Sequence, residues 1–321
     1  MGKVIVIEKV KKQWFLIGIF LVFICVVFDK TGTFARAGIF LKDHNGSSFM
    51  IFFIFLFSGM IIEADQVKAG IKDFKATTAA LVIIVILSPV LALSFALIPL
   101  ETGVILGIFL VAVMPTTLSS GVVMTGEAGG NIAHALFITI LSNCIAIISI
   151  PFFLPLLLKS LKLETNLFID QKTIFIKLLF LVLLPLLMGL FLKKTMLNIT
   201  AVQKKRLGII NQFIVICVVY MSLSGAREVL ASQSTTFLWI LPLVVIFHLL
   251  LLGFSFGCSH LLNIGKGRRE AVIFMGAQKT LPLAVMLQIT CFPEYGAALL
   301  VCVIHHIAHL MIDGYLAFKM R

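Results

Sequence analysis

Apolar runs of about twenty residues recur from one end of this 321-residue chain to the other, and that single feature excludes most folds. A helix of that length crosses about 30 Å of hydrocarbon. Hydrophobic residues make up 60% of the chain and charged residues 12%, against roughly a half and a quarter in a soluble domain. In lipid, every backbone N–H and C=O must be paired inside its own helix or in a closed barrel. The alternating segments that a barrel needs are missing, so the sequence predicts an all-α polytopic membrane protein.

Ten spans are predicted, at about 13–28, 48–62, 77–98, 103–123, 131–158, 173–192, 208–224, 237–262, 270–291 and 296–318. The basic start is followed by an apolar run from Trp14 with no small-residue cleavage site, so it reads as the first span and not as a removable leader. The net charge of +12 lies in short loops, as topology signals do, and does not predict a nucleic-acid partner. Ten spans put both termini on one side, together with Lys68, Lys72, Lys75, Lys193, Lys194, Lys204, Lys205, Arg206, Lys266, Arg268 and Arg269. That side carries about twice the Lys and Arg of the other, so both termini are expected in the cytoplasm. The loop KKTMLNITAVQKKR is suited to lying on anionic lipid. The six Cys show no CxxC spacing and read as small buried hydrophobes.

Ten spans divide into a first five-helix repeat, residues 1–162, and a second, 163–321, which an odd number of spans forces into the opposite orientation. Two interruptions match. The fourth span carries PTTLSS from Pro115 and ends in GEAGG; the ninth carries QKTLP, ending at Pro282, and ends in FPEYG. Gly/Pro-interrupted spans at matching positions are the pointer to a transport site. Pro115 frees carbonyls, and Thr116, Thr117, Ser119 and Ser120 add hydroxyls. The fifth span adds Asn131, Thr139, Ser142 and Asn143. Oxygens of this kind suit a hard cation, or else join helices to one another. His305, His309 and Asp313 share a helical face and predict a hydrogen-bond network near the cytoplasmic end, ahead of a metal face. His134 reads as interfacial. No GxSxG accompanies Ser119 and Ser120, so a hydrolase is not expected.

The stretches PTTLSSGVVMTGEAGGNIAHALFITILSN (115–143) and GAQKTLPLAV (276–285) resemble the bile acid:sodium symporter family over nearly the whole chain, and look closest to its bacterial branch, akin to the seventh vertebrate member. The resemblance implies a panel of spans one, two, six and seven beside a core of the rest, with broken spans four and nine crossing at mid-membrane. It implies a secondary carrier of a small organic anion working by alternating access, with Na⁺ or H⁺ as coupling ion and no cofactor. Cation ligands are carried over to Ser120, Thr139 and Gln278, with Asn143 beside them. Family ligands are replaced at Gly121, Ala135, Ile84 and Phe274, the last standing where bile-acid carriers have an acid. Thr116, Thr117, Ser119, Asn131, Lys279 and Thr280 are the expected substrate contacts. Lys279, at the crossing, would stand in for a bound cation and hold the anion. Its residue type alone also allows pairing with Glu127 or Glu294, or snorkelling to water. A homodimer is compatible with all of this, and a membrane regulator of ion or lipid handling is the competing class.

Overall fold

A computed structural model describes residues 2–61, 73–117, 119–161, 170–195, 199–225, 227 and 234–321. These residues form helices and no strand. In chain order they are α1 (Gly2–Val27), α2 (Thr33–Asp43), α3 (Gly46–Ile61), α4 (Phe74–Phe95), α5 (Thr102–Val113), α6 (Ser120–Glu127) and α7 (Ile132–Ser160). There follow α8 (Gln171–Thr195), α9 (Ala201–Gly225), α10 (Ser234–Leu261), α11 (Arg269–Ala277), α12 (Leu281–Cys291) and α13 (Gly296–Met320).

Seven elements are long and apolar enough to cross a membrane: α4, α7, α8, α9, α10, α13 and the α11–α12 pair taken together. The count becomes eight if α2 and α3, which meet at 71°, form one bent span. The third and the fifth to tenth expected spans lie on the seven. The first, second and fourth fall on α1, α3 and the α5–α6 pair. Helix α2 was not anticipated. Asn45 allows its sharp junction with α3 by adopting φ 61°, a left-handed conformation that Asn tolerates. It packs on α9, where the Tyr220 hydroxyl donates to Phe34 O.

The broken spans form the centre. Every residue of α5 from Gly103 to Val113 is buried, as is every residue of α11 from Glu270 to Ala277. Burial on every side places these helices in the interior of the bundle. The surrounding helices present large side chains outward, among them Phe152 of α7, Phe180 and Phe191 of α8, and Trp239 and Leu241 of α10. Such a surface suits lipid. Glycines bring α3 and α8 into backbone contact: a Cβ on Gly59 would lie 2.2 Å from Leu186 O, and one on Gly189 would lie 2.1 Å from Leu56 O.

Loop contacts fall into two groups. At one end Arg268 pairs with Asp73, Asn131 N–H donates to Gly267 O, and Arg321 Nε donates to Glu127 O. At the other, Arg227 donates to Asp29 O and Lys177 to Thr290 O. Asp73 also caps α4 by accepting from Ala76 N–H. The Arg268 hydrogen bond, opposed by burial and helped by Ala76 N–H, holds the Asp73 carboxyl below its ordinary value.

Two outcomes follow. Gly59→Val is expected to cost about 1–3 kcal/mol by overpacking, whereas Gly208→Ala in α9, which meets nothing within 4 Å, should be neutral or stabilising; melting temperatures in detergent read both. The Asp73 contribution has a lowered folded-state pKa, so it is complete above about pH 4 and is lost as the pH falls further. Asp73→Ala should cost more than Arg268→Ala, about 1 kcal/mol more, because it removes a cap as well as an exposed ion pair, and the difference should vanish in acid.

Candidate functional site

The site begins with prolines. Pro89 lies just beyond a single π turn, Ile83–Leu87, in α4. There Ser88 N–H donates to Ile83 O, five residues back. The next donor in that register would be residue 89, and proline has none. Ile84 O therefore lacks a helical partner. Pro115 acts similarly on the fourth span. It disfavours helical backbone at Met114, which adopts φ −70°, ψ 144°, and α5 stops at Val113. The last carbonyls of α5, Ala112 and Met114, are left open. On the ninth span, Gln278 and Thr280 are both extended between α11 and α12.

The two unwound segments dock on each other. Thr280 N–H donates to Pro115 O at 3.0 Å. Thr117 Oγ1 donates to Gln278 Oε1 at 2.7 Å, and Ser120 Oγ lies 2.9 Å from both Gln278 Oε1 and Thr117 Oγ1. Thr139 Oγ1 reaches Ala135 O at 2.9 Å and Thr117 O at 3.3 Å, while Asn143 Nδ2 donates to Thr139 O at 2.8 Å. Thr116 is fully buried, and its Oγ1 has no hydrogen-bond partner among the described residues. Seven expected polar residues (Thr116, Thr117, Ser120, Thr139, Asn143, Gln278 and Thr280) thus converge at the break.

Two do not. Asn131 sits at the loop end, where its side chain accepts from His134 N–H and caps α7. Ser119 is exposed at the start of α6. Neither shares the buried cluster, because the break turns Ser119 outward and Asn131 lies beyond the end of α6.

Lys279 is 1% exposed. Its Nζ donates to Ile84 O at 3.1 Å, Ala112 O at 3.0 Å and Met114 O at 3.0 Å. An ammonium has three donors, and all three are used on the carbonyls that Pro89 and Pro115 orphaned. Glu127 is exposed at the loop end, so the pairing considered for Lys279 is with carbonyls.

The histidine face is placed differently from the expectation. Asp313 is fully buried and reaches the break, not the cytoplasmic end: Oδ2 accepts from Gln278 Nε2 at 2.8 Å, and Oδ1 lies 2.8 Å from His248 Nε2. His309 Nδ1 is 3.8 Å from Asp313 Oδ2, too long for a hydrogen bond, and its Nε2 lies 2.9 Å from His306 Nδ1. His248, on α10, was not singled out in the sequence. Among the described residues no three His, Cys, Asp or Glu side chains are arranged to hold a metal. Phe274, which the resemblance sets at the position of a family acid, is fully buried and packs with Ala128 and Ala317. The carboxylate that meets Gln278 is that of Asp313 on α13. Gly121 makes room for this: a Cβ there would lie 2.8 Å from Met275 Sδ and 3.1 Å from Gln278 Oε1.

The crevice beside the break, lined by Ile84, Pro89, Val113, Pro115, Ser142 and Phe153, is too narrow for water. A wider groove, about 590 Å³, lies at the loop end against Ser259, His260, Asn263 and Arg269.

Unwound helices meeting at a buried polar cluster inside an apolar bundle define a membrane transporter. The chain belongs to the SBF-like CPA transporter family, whose profile matches residues 13–321. It is 31% identical over 278 residues to the probable sodium/metabolite cotransporter BASS4, chloroplastic, of Arabidopsis thaliana, covering 82% of this chain and 63% of that protein. It is 28% identical over 297 residues to the rice (Oryza sativa subsp. indica) protein of the same name, covering 86% and 69%. It is 23% identical over 322 residues to the sodium/bile acid cotransporter 7-B of Xenopus laevis, covering 97% and 92%. The family is one of transporters and not of enzymes, as the absence of a nucleophile motif led us to expect.

Asp313→Ala is expected to cost about 2–5 kcal/mol, since it strands the Gln278 amide and an imidazole. Asp313→Asn, which keeps an acceptor, should cost clearly less. Thermal unfolding of the two variants side by side checks the order.

Proposed function

We propose that the protein is a sodium-coupled symporter of a small organic anion and that it works by alternating access. One observation carries the reading. The two interrupted spans meet through side chains and backbone at a buried oxygen cluster, and the residue that joins them, Gln278, is backed by a carboxylate. Thr117 Oγ1, Ser120 Oγ and Gln278 Oε1 are the cation ligands in this reading, with Thr139 and Asn143 fixing the Thr116–Thr117 carbonyls. Asp313, one hydrogen bond behind Gln278, balances the charge. The hydroxyl protons now point at Gln278 Oε1, and an entering cation would displace them. The names of the relatives, sodium/metabolite and sodium/bile acid cotransporters, favour sodium over a proton.

The anion would lie against the N-terminal ends of α6 and α12, where helix dipoles favour negative charge, with Thr116, Thr117, Ser119 and Thr280 as contacts. Lys279 would contribute by its charge, since its donors are taken. In the same reading the chain has ten spans in two inverted halves, 1–162 and 163–321, with the fourth and ninth crossing, both termini cytoplasmic and a bacterial inner membrane as setting. The separation of loop contacts into two ends supports that parity.

The test is uptake of labelled organic anions into proteoliposomes under a sodium gradient. Ser120→Ala and Thr117→Val should each raise the half-saturating sodium concentration about tenfold, equivalent to about 1.4 kcal/mol; Ser120→Ala should leave the melting temperature nearly unchanged, whereas Thr117→Val, which also strands the Gly121 N–H, should lower it by a few degrees. Uptake that follows a proton gradient and ignores sodium would remove these ligands from the reading. Absence of any solute flux would favour the regulator class.

A further inference from the structure

The ammonium of Lys279 occupies a place built for a free cation. Three carbonyl oxygens from two separate spans converge on one point at 3.0–3.1 Å. Each is open for a reason written in the chain: Ile84 O because residue 89 is a proline, Ala112 O and Met114 O because Pro115 ends α5. Ser88 Oγ adds a hydroxyl to the same edge, donating to Ala112 O at 2.8 Å. Carbonyls that replace a hydration shell are a ligand set for alkali cations. The end of α5 adds the negative pole of a helix. Among the described residues no carboxylate contacts Nζ.

We infer that Lys279 Nζ is a tethered cation that permanently fills one monovalent-cation position, so that the carrier has a single exchangeable cation seat. The first half stands on the cage alone; the single seat rests on the transport reading above. An ion bound by those three carbonyls would be free to leave on each cycle. A charge tied to the ninth span by a four-carbon stem cannot, so it moves with its helix and adds nothing to the ions carried. The consequence for substrate class is direct: the carrier brings in one fewer positive charge per turnover, and a monoanion moved with one Na⁺ would be electroneutral.

The experiment compares wild type and Lys279→Ala in detergent, at equal ionic strength in choline, sodium, potassium and methylammonium chloride. In choline the variant should melt roughly 10 °C lower, because Ile84 O and Met114 O lose their partner and Ala112 O keeps only the Ser88 hydroxyl. Methylammonium, sodium or potassium should restore about half of that loss or more along a saturating curve, and wild type should ignore methylammonium. Lys279→Met, whose thioether fills the cage without a donor, should be destabilised in choline and gain nothing from methylammonium or potassium, while sodium should stabilise it only as much as it stabilises wild type. A Lys279→Ala protein that matches wild type in choline, or that no cation restores, would overturn the inference. Should Lys279→Ala fail to fold in every salt, equilibrium binding of radiolabelled sodium to wild type decides: one ion per chain sustains the inference, and none or two refute it. Failure of the transport reading looks different, with no solute flux while cation rescue persists.

Discussion

The structure depends on one ammonium. A break in a helix buried among apolar residues leaves carbonyls with neither water nor N–H to meet, and each such orphan costs about 1–3 kcal/mol. Two prolines in two different spans create three of them around one point. Lys279 answers all three at once. Burying its charge is expensive, and the carbonyl dipoles and the helix end offset the expense only because their geometry is complete. The fourth span can therefore stop at Val113, and the third can carry a π turn, without either becoming a defect.

Gln278 does a second kind of joining. Its carbonyl takes the hydroxyls of Thr117 and Ser120, and its amide donates to Asp313. A primary amide has one acceptor end and one donor end, so the carboxylate behind it sets which end faces the hydroxyls. The carboxylate that meets Gln278 comes from α13, while Phe274 on the ninth span packs against Ala317. Residue 121 is small at the same place, since a side chain there would meet Gln278 itself.

The contacts that hold the two breaks together are few and polar, whereas the outer helices are held by backbone approach at Gly59 and Gly189 and by broad apolar packing. In the proposed alternating-access cycle the centre would open while the frame persists, and that contrast is compatible with it. In the present conformation the crevice beside the break is too narrow for water, and near Asp73 and Arg268 an ion pair and a capped helix join the loops.

The sequence by itself determined the helices, nearly all of their positions, and the two places where they break. Apolar run length and proline chemistry are local, and each acts through its own backbone. It also named most of the residues at the break, because hydroxyls, an amide and a lysine inside apolar runs have few other uses. Partners were a different matter. Lys279 could have met an anion, an acid or water; which one depended on three carbonyls 165 to 195 residues away in the chain. His248 carries no local signal, and its role follows only from Asp313 being opposite. Asn131 and Ser119 have the same chemistry as their neighbours, and only the turn of the chain after the break shows that one caps a helix and the other faces outward. Sequence fixes what each group can bond; tertiary structure decides which group is within 3 Å of it.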